Sequence, residues 1–116
     1  IQLLGYLPEE ALPKVIGAAF AMTYVSLFEG FGLPIVEAMN CEVPTITSNI
    51  ASMPEVGGDA VLLVDPHSIE DIALKMKRLV EDNDLYQNLV ENGRQQKNKF
   101  NWTHSSEQVY QILKGI

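Results

Sequence analysis

Short apolar runs rich in β-branched residues alternate along this sequence with longer amphipathic stretches, and glycine or proline separates them. That alternation predicts the α/β class, a parallel sheet whose strands are joined by crossover helices. The length of 116 residues fits one domain. Its 47% hydrophobic and 20% charged residues are the balance of a packed globular chain rather than a disordered or membrane-spanning one.

The elements follow in order. Ile1 to Leu4 reads as the end of a strand. Pro8-Glu9-Glu10 resembles a helix start, with proline in the first turn and acids facing the macrodipole. Pro13 is poorly placed inside such a helix, so one turn and a restart over Pro13 to Ala19 are expected. Met22 to Leu27 is an apolar, β-prone run ending at Glu29-Gly30-Phe31-Gly32, the pattern of a buried parallel strand. A helix over Pro34 to Asn40 comes next, then a strand over Val43 to Thr47. Pro54-Glu55-Val56 makes a helical turn before Gly57-Gly58, and Ala60 to Val64 is another short strand.

From Ile69, apolar residues recur at offsets of 3, 4, 7, 10 and 11 (Ile72, Ala73, Met76, Leu79, Val80), which defines one helix face. Ser68 with Asp71 is a capping-box-like start. A further helix is expected from Asp84 toward Phe100, weakened at Gly93, and a last one from Thr103 to Leu113. Trp102 is expected to pack at the junction between these two. The chain begins without methionine and in mid-strand pattern, as a piece of a longer protein would. Its first residues lack the basic region and cleavage site of a signal peptide.

Residues 1–74 hold ten acids against the single base Lys14, whereas residues 75–116 hold seven bases against five acids, within a net charge of −7. A nucleic-acid surface needs a continuous basic patch, so no nucleic-acid partner is expected. Nor does the basic second half read as a membrane patch; it reads as solvated helix faces. An anion bound in the first half must be held mostly by groups other than Lys and Arg side chains. The lone Cys41 excludes a disulfide framework and a cysteine-based zinc site and reads as a buried small hydrophobe. His67 and His104 have no cluster around them at metal-binding spacing, so no metal site is expected.

One segment carries chemistry: Ser26-Leu27-Phe28-Glu29-Gly30-Phe31-Gly32-Leu33-Pro34-Ile35-Val36-Glu37. A buried strand ends at a carboxylate, a Gly-x-Gly turn lets backbone approach a ligand, and a helix opens with Pro34 in its first turn. Backbone N–H groups of Gly32, Leu33 and Ile35 can then face the crevice at the carboxyl ends of the strands, where open α/β sheets bind ligands. Glu29 and Glu37 bracket the turn, and a carboxylate accepts two hydrogen bonds side by side, as the vicinal diol of a sugar offers. Read from the residues alone, Glu29 is equally a solvated loop acid, and Glu37 a favourable charge near a helix N-terminus.

Glu29 to Glu37 matches the E-x7-E motif of retaining GT-B glycosyltransferases of family 4, the "group 1" class. The resemblance continues through Glu37-Ala38-Met39-Asn40-Cys41, Val43-Pro44-Thr45-Ile46-Thr47-Ser48, Pro54-Glu55-Val56-Gly57-Gly58-Asp59-Ala60 and Val64-Asp65-Pro66 to Phe100-Asn101-Trp102. It implies a Rossmann-like doubly wound sheet, here a partial C-terminal domain lacking its first strands, over residues 1–116. By the same resemblance Glu29 is the catalytic-site acid on the donor sugar, and Glu37 holds the nucleotide ribose. Gly30, Phe31, Gly32 and Leu33 line the sugar and diphosphate.

The implied reaction moves a hexose from a nucleotide-sugar donor to a glycan or lipid-linked acceptor, with retention and no bound metal or other cofactor. Implied too are a cytoplasmic setting, peripheral to the inner face of the membrane, a role in polysaccharide biosynthesis, and an N-terminal GT-B domain as partner. The segment alone is not expected to be catalytically complete. In the family order 3-2-1-4-5-6, Ile1 to Leu4 takes the third place and is cut off from the next strand, which leaves edges open to self-association and a marginal fold. Val25 stands where proline is common, and Glu42 where glycine is usual. If the helix ends in a left-handed residue, that residue is strained at Glu42 unless Asn40 takes the role. Other readings are a non-transferase GT-B enzyme (a sugar-nucleotide epimerase or phosphorylase) and a non-catalytic assembly module. A dinucleotide-binding oxidoreductase is weakest, because Ile35 replaces the third glycine.

Overall fold

The computed structural model describes residues 1–116. Three parallel strands, β1 (Met22–Tyr24), β2 (Thr45–Ser48) and β3 (Val61–Val64), form a sheet in the order β1-β2-β3. Met22 pairs with Thr45 and Tyr24 with Thr47, and Thr45 pairs in turn with Val61 and Ser48 with Val64. Six helices surround it: α1 (Leu12–Gly17), α2 (Leu33–Asn40), α3 (Met53–Gly57), α4 (Ile69–Glu81), α5 (Asn83–Gln96) and α6 (Trp102–Lys114). Short 3-10 turns follow α3 and α5. No helix is long and apolar enough to cross a membrane.

The twofold alternation of strand side chains builds a core on each face of the sheet. Val61 and Leu63 pack with Tyr24 against Ile35, Val36 and Met39 of α2 and Met53 and Val56 of α3. Leu62 and Val64 of the same strand point the other way, with Ile46 and Val25, onto Leu79 of α4 and Leu89 of α5. Helices on both faces of a parallel sheet are the doubly wound arrangement.

Several expectations need correction. Ile1 to Leu4 is not a strand: it has no strand neighbour with which to form a ladder, and all four residues are exposed. The expected strand over Met22 to Leu27 stops at Tyr24, where its backbone pairing ends. The turn at Pro8 does form, with Ala11 N–H donating to the Pro8 carbonyl (2.9 Å), and the helix restarts at Leu12.

On α4 the capping contact is as expected, Asp71 N–H donating to Ser68 Oγ at 3.1 Å. Its apolar face is only partly used: Leu79 is buried, but Ile69 is 80% and Val80 69% exposed. Gly93 does not weaken α5; it is buried, and a Cβ there would lie 3.4 Å from Met39 Cγ, so it lets α5 approach α2. Trp102 packs at no junction: it is 89% exposed, as is every residue of α6 to a lesser or greater degree. Cys41 is half-buried rather than buried, its Sγ 3.5 Å from the Pro13 carbonyl.

Glu42 is the left-handed residue after α2, with φ of 59°. Its carboxylate is gripped by Arg94 of α5 through two bonds of 2.9 Å each. Arg94 holds the Glu42 carboxyl below the usual carboxylate range, first by hydrogen bonding and then by charge.

Candidate functional site

The turn that carries the chemistry follows β1 and precedes α2. Gly32 is its pivot: φ is 99°, a left-handed value that glycine adopts without penalty, and a Cβ there would meet Ile35 Cδ1 at 3.3 Å. Gly30 is different. Its φ is not positive, and a Cβ would find nothing within 4 Å. Neither conformation nor packing within the chain demands glycine at that place, whereas close approach of a ligand to the backbone would.

The amides of Gly30, Phe31, Gly32 and Leu33 donate to no group of the chain. Ile35, expected among the donors, is not one of them, because its N–H bonds the Gly32 carbonyl at 3.0 Å. Pro34 has no N–H. Four consecutive free donors therefore lie at and just before the positive end of the α2 dipole, a position suited to an oxyanion.

Glu29 is half-buried beside the turn and accepts a bond from Ser26 Oγ at 2.9 Å. Hydrogen bonds from Tyr24 and then from Ser26 hold its carboxyl below the usual carboxylate range, with slight burial opposing them. The Tyr24 phenol is pushed up to about 12, chiefly by its bond to Glu29, then by burial and by the charges of Glu29 and Glu37. On α2, Ile35, Val36, Ala38 and Met39 are buried, which leaves Leu33, Glu37 and Asn40 as the outward stripe. Glu37 lies one turn after Leu33 on this stripe. It has no cationic partner in the chain.

The end of β2 and the loop after it brace this turn. Thr47 Oγ1 donates to the Tyr24 carbonyl (2.8 Å) and Ser48 Oγ to that of Ser26, while the single Ser52 hydroxyl proton is shared between the carbonyls of Phe31 (2.8 Å) and Glu29 (3.0 Å). Phe31 also meets Phe100 edge-on, ring centroids 5.5 Å apart, so the aromatic from near the end of the sequence closes onto the turn. The sequence singled out Glu29 to Glu37 but not Tyr24, nor Ser52, whose connection to the turn depends on the pairing of β1 with β2.

A family model described as "Glycosyl transferases group 1" matches residues 1–96. The chain belongs to that family. Over 114 residues it is 40% identical to O-antigen chain mannosyltransferase B of Escherichia coli, which covers 98% of this chain and 30% of that protein. Among solved structures, a sucrose-phosphate synthase from Thermosynechococcus elongatus superposes with a TM-score of 0.84 at 28% identity, over 98% of this chain and 29% of the synthase. An Anabaena protein solved with UDP and glucose shares the fold, with a TM-score of 0.80 at 22% identity over 90% of this chain and 30% of its own. The chain therefore spans about a third of the length of these relatives and forms part of a GT-B C-terminal domain.

Proposed function

We propose that this group 1 chain is the donor-binding part of a retaining glycosyltransferase that moves a hexose, mannose being the first to test, from a nucleoside diphosphate sugar to a glycan or lipid-linked acceptor. The observation that carries the reading is the run of four free amides, Gly30 to Leu33, set between two carboxylates. The mannosyltransferase relative supports the choice of sugar.

In this reading the amides of Gly30, Phe31, Gly32 and Leu33 take the diphosphate and the inner face of the sugar. Glu29 accepts hydroxyls of the transferred sugar, and Glu37 accepts the ribose diol. Both acids need to be ionised to accept two bonds each, and the Tyr24 and Ser26 bonds keep Glu29 so. The bond from the anomeric carbon to the diphosphate oxygen breaks, the acceptor hydroxyl bonds that carbon, and its proton leaves with the nucleoside diphosphate. Fixed amide dipoles aimed at the leaving oxygen stabilise charge as it develops, without a metal or other cofactor. The remaining residues of the longer protein, its N-terminal domain included, supply the acceptor site. The same reading carries a cytoplasmic setting, peripheral to the inner face of the membrane.

The test is to incubate the full-length protein with GDP-mannose and, separately, UDP-glucose, and to follow binding and the anomeric signal of the first-formed product by NMR. Release of the sugar with its anomeric configuration kept is expected for one donor. Binding of neither donor, nor of GDP or UDP, overturns the proposal; an epimerised but unreleased sugar would instead identify a non-transferase enzyme.

A further inference from the structure

Ser52 occupies the N-cap position of α3, where a serine ordinarily bonds an amide of the helix's first turn, yet its side chain caps nothing. The hydroxyl turns instead to the turn between β1 and α2 and reaches the carbonyls of Glu29 and Phe31, 23 and 21 residues earlier in the sequence. A trans peptide is planar, so the carbonyl of one residue and the N–H of the next point in opposite directions. Fixing the Glu29 carbonyl toward Ser52 fixes the Gly30 N–H away from it, and fixing that of Phe31 does the same for Gly32. These are two of the four free amides.

We infer that Ser52 is a positioning residue for the donor diphosphate: it touches no ligand, and it aims the Gly30 and Gly32 amides by sharing its one O–H proton, as a three-centre bond, between the carbonyls behind them. The inference rests on the proposed donor site. Glycine at 30 makes such a brace necessary, because the backbone there has no side chain of its own to restrict peptide rotation, and β1 stops pairing with β2 after Tyr24. Ser48 and Thr47 hold the carbonyls of Ser26 and Tyr24 in the same way, so Ser52 is the last member of a hydroxyl series that extends the strand pairing into the turn.

The experiment compares full-length wild type, Ser52→Ala and Ser52→Thr, measuring affinity for GDP and UDP and for the corresponding nucleosides, together with donor and acceptor KM. Loss of aim at two amides is expected to weaken nucleoside diphosphate binding in Ser52→Ala about tenfold. Nucleoside affinity and acceptor KM should be unchanged, and Ser52→Thr, which keeps the hydroxyl, should restore diphosphate binding. If Ser52→Ala does not fold, Ser52→Cys, similar in size with a weaker donor, is measured instead and should show the same selective loss. A wild type that binds no nucleotide overturns the donor-site reading itself. A wild type that binds, beside an alanine or cysteine variant that binds diphosphate equally well or loses nucleoside affinity in the same proportion, overturns the role of Ser52 alone.

Discussion

Replacing Gly57 by Ala sets two effects of opposite sign against each other. Gly57 has ordinary helical backbone angles, φ −71° and ψ −39°, so alanine fits its conformation. On that ground alone the change should stabilise the fold by about 0.5–1 kcal/mol, the entropic cost of glycine in a helix. The added Cβ, however, would lie 2.3 Å from Val61 Cγ2, 3.0 Å from Cγ1 and 3.2 Å from Cβ. Carbon atoms prefer about 3.5–4.0 Å, so relief needs a movement of more than about 1 Å.

Val61 cannot simply rotate away: it is β-branched, 7% exposed and held in β3 against the core. Overpacking of this kind costs about 1–3 kcal/mol, which outweighs the gain and leaves a net loss of about 1–2 kcal/mol. Urea unfolding followed by far-ultraviolet circular dichroism should show the midpoint fall by about 1 M. In a Val61→Ala background the clashing methyls are gone, and Gly57→Ala should there be neutral or mildly stabilising, a coupling of about 2 kcal/mol between the two sites. A Gly57→Ala variant as stable as the parent, or an equal effect in both backgrounds, would refute the steric argument.

Glu37→Gln removes the charge but keeps the shape, and should weaken GDP or UDP binding about tenfold in an equilibrium titration while leaving the unfolding midpoint unchanged. Tyr24→Phe removes the largest influence lowering the Glu29 carboxyl, so that group should titrate closer to its ordinary value in a carboxyl-carbon NMR titration. Because the folded value is the lower one, ionised Glu29 contributes its stabilisation fully above the unfolded pKa, and this is lost as pH falls through the folded value. The variant should move the Glu29 part of that acid loss to higher pH. Thr45 Oγ1 is buried with no hydrogen-bond partner. Thr45→Val, of similar shape, should therefore raise the urea midpoint, by about 1 kcal/mol in free energy.

The order of elements was legible because each depends on local pattern: β-branched runs at 45–48 and 61–64, the capping serine at Ser68, the proline restart near Pro13. The E-x7-E segment was legible for the same reason, since turn, glycines and both acids lie within nine residues. What depends on partners was not. Ile1 to Leu4 has strand composition but no neighbouring strand, and Trp102 is apolar with nothing over it. The α4 face looked uniform in sequence although Leu79 alone of it is buried. Ser52 was missed because its role arises from the pairing of β1 with β2, a relation that carries no signature at fixed sequence spacing, and Tyr24 because it read simply as one of the apolar residues of its strand. The strained place after α2 was anticipated at Glu42, but not the grip of Arg94 upon it.

The separation between Phe100 and α6 has a mechanical meaning. Phe100 is anchored in the core and against Phe31, whereas the next residue, Asn101, is extended and caps a helix with no buried residue along its 13-residue length. That helix is about 20 Å long and contributes no buried side chain to the body. The aromatic wedge on the donor side is therefore seated by Phe31 and the core, and owes nothing to the helix that follows it.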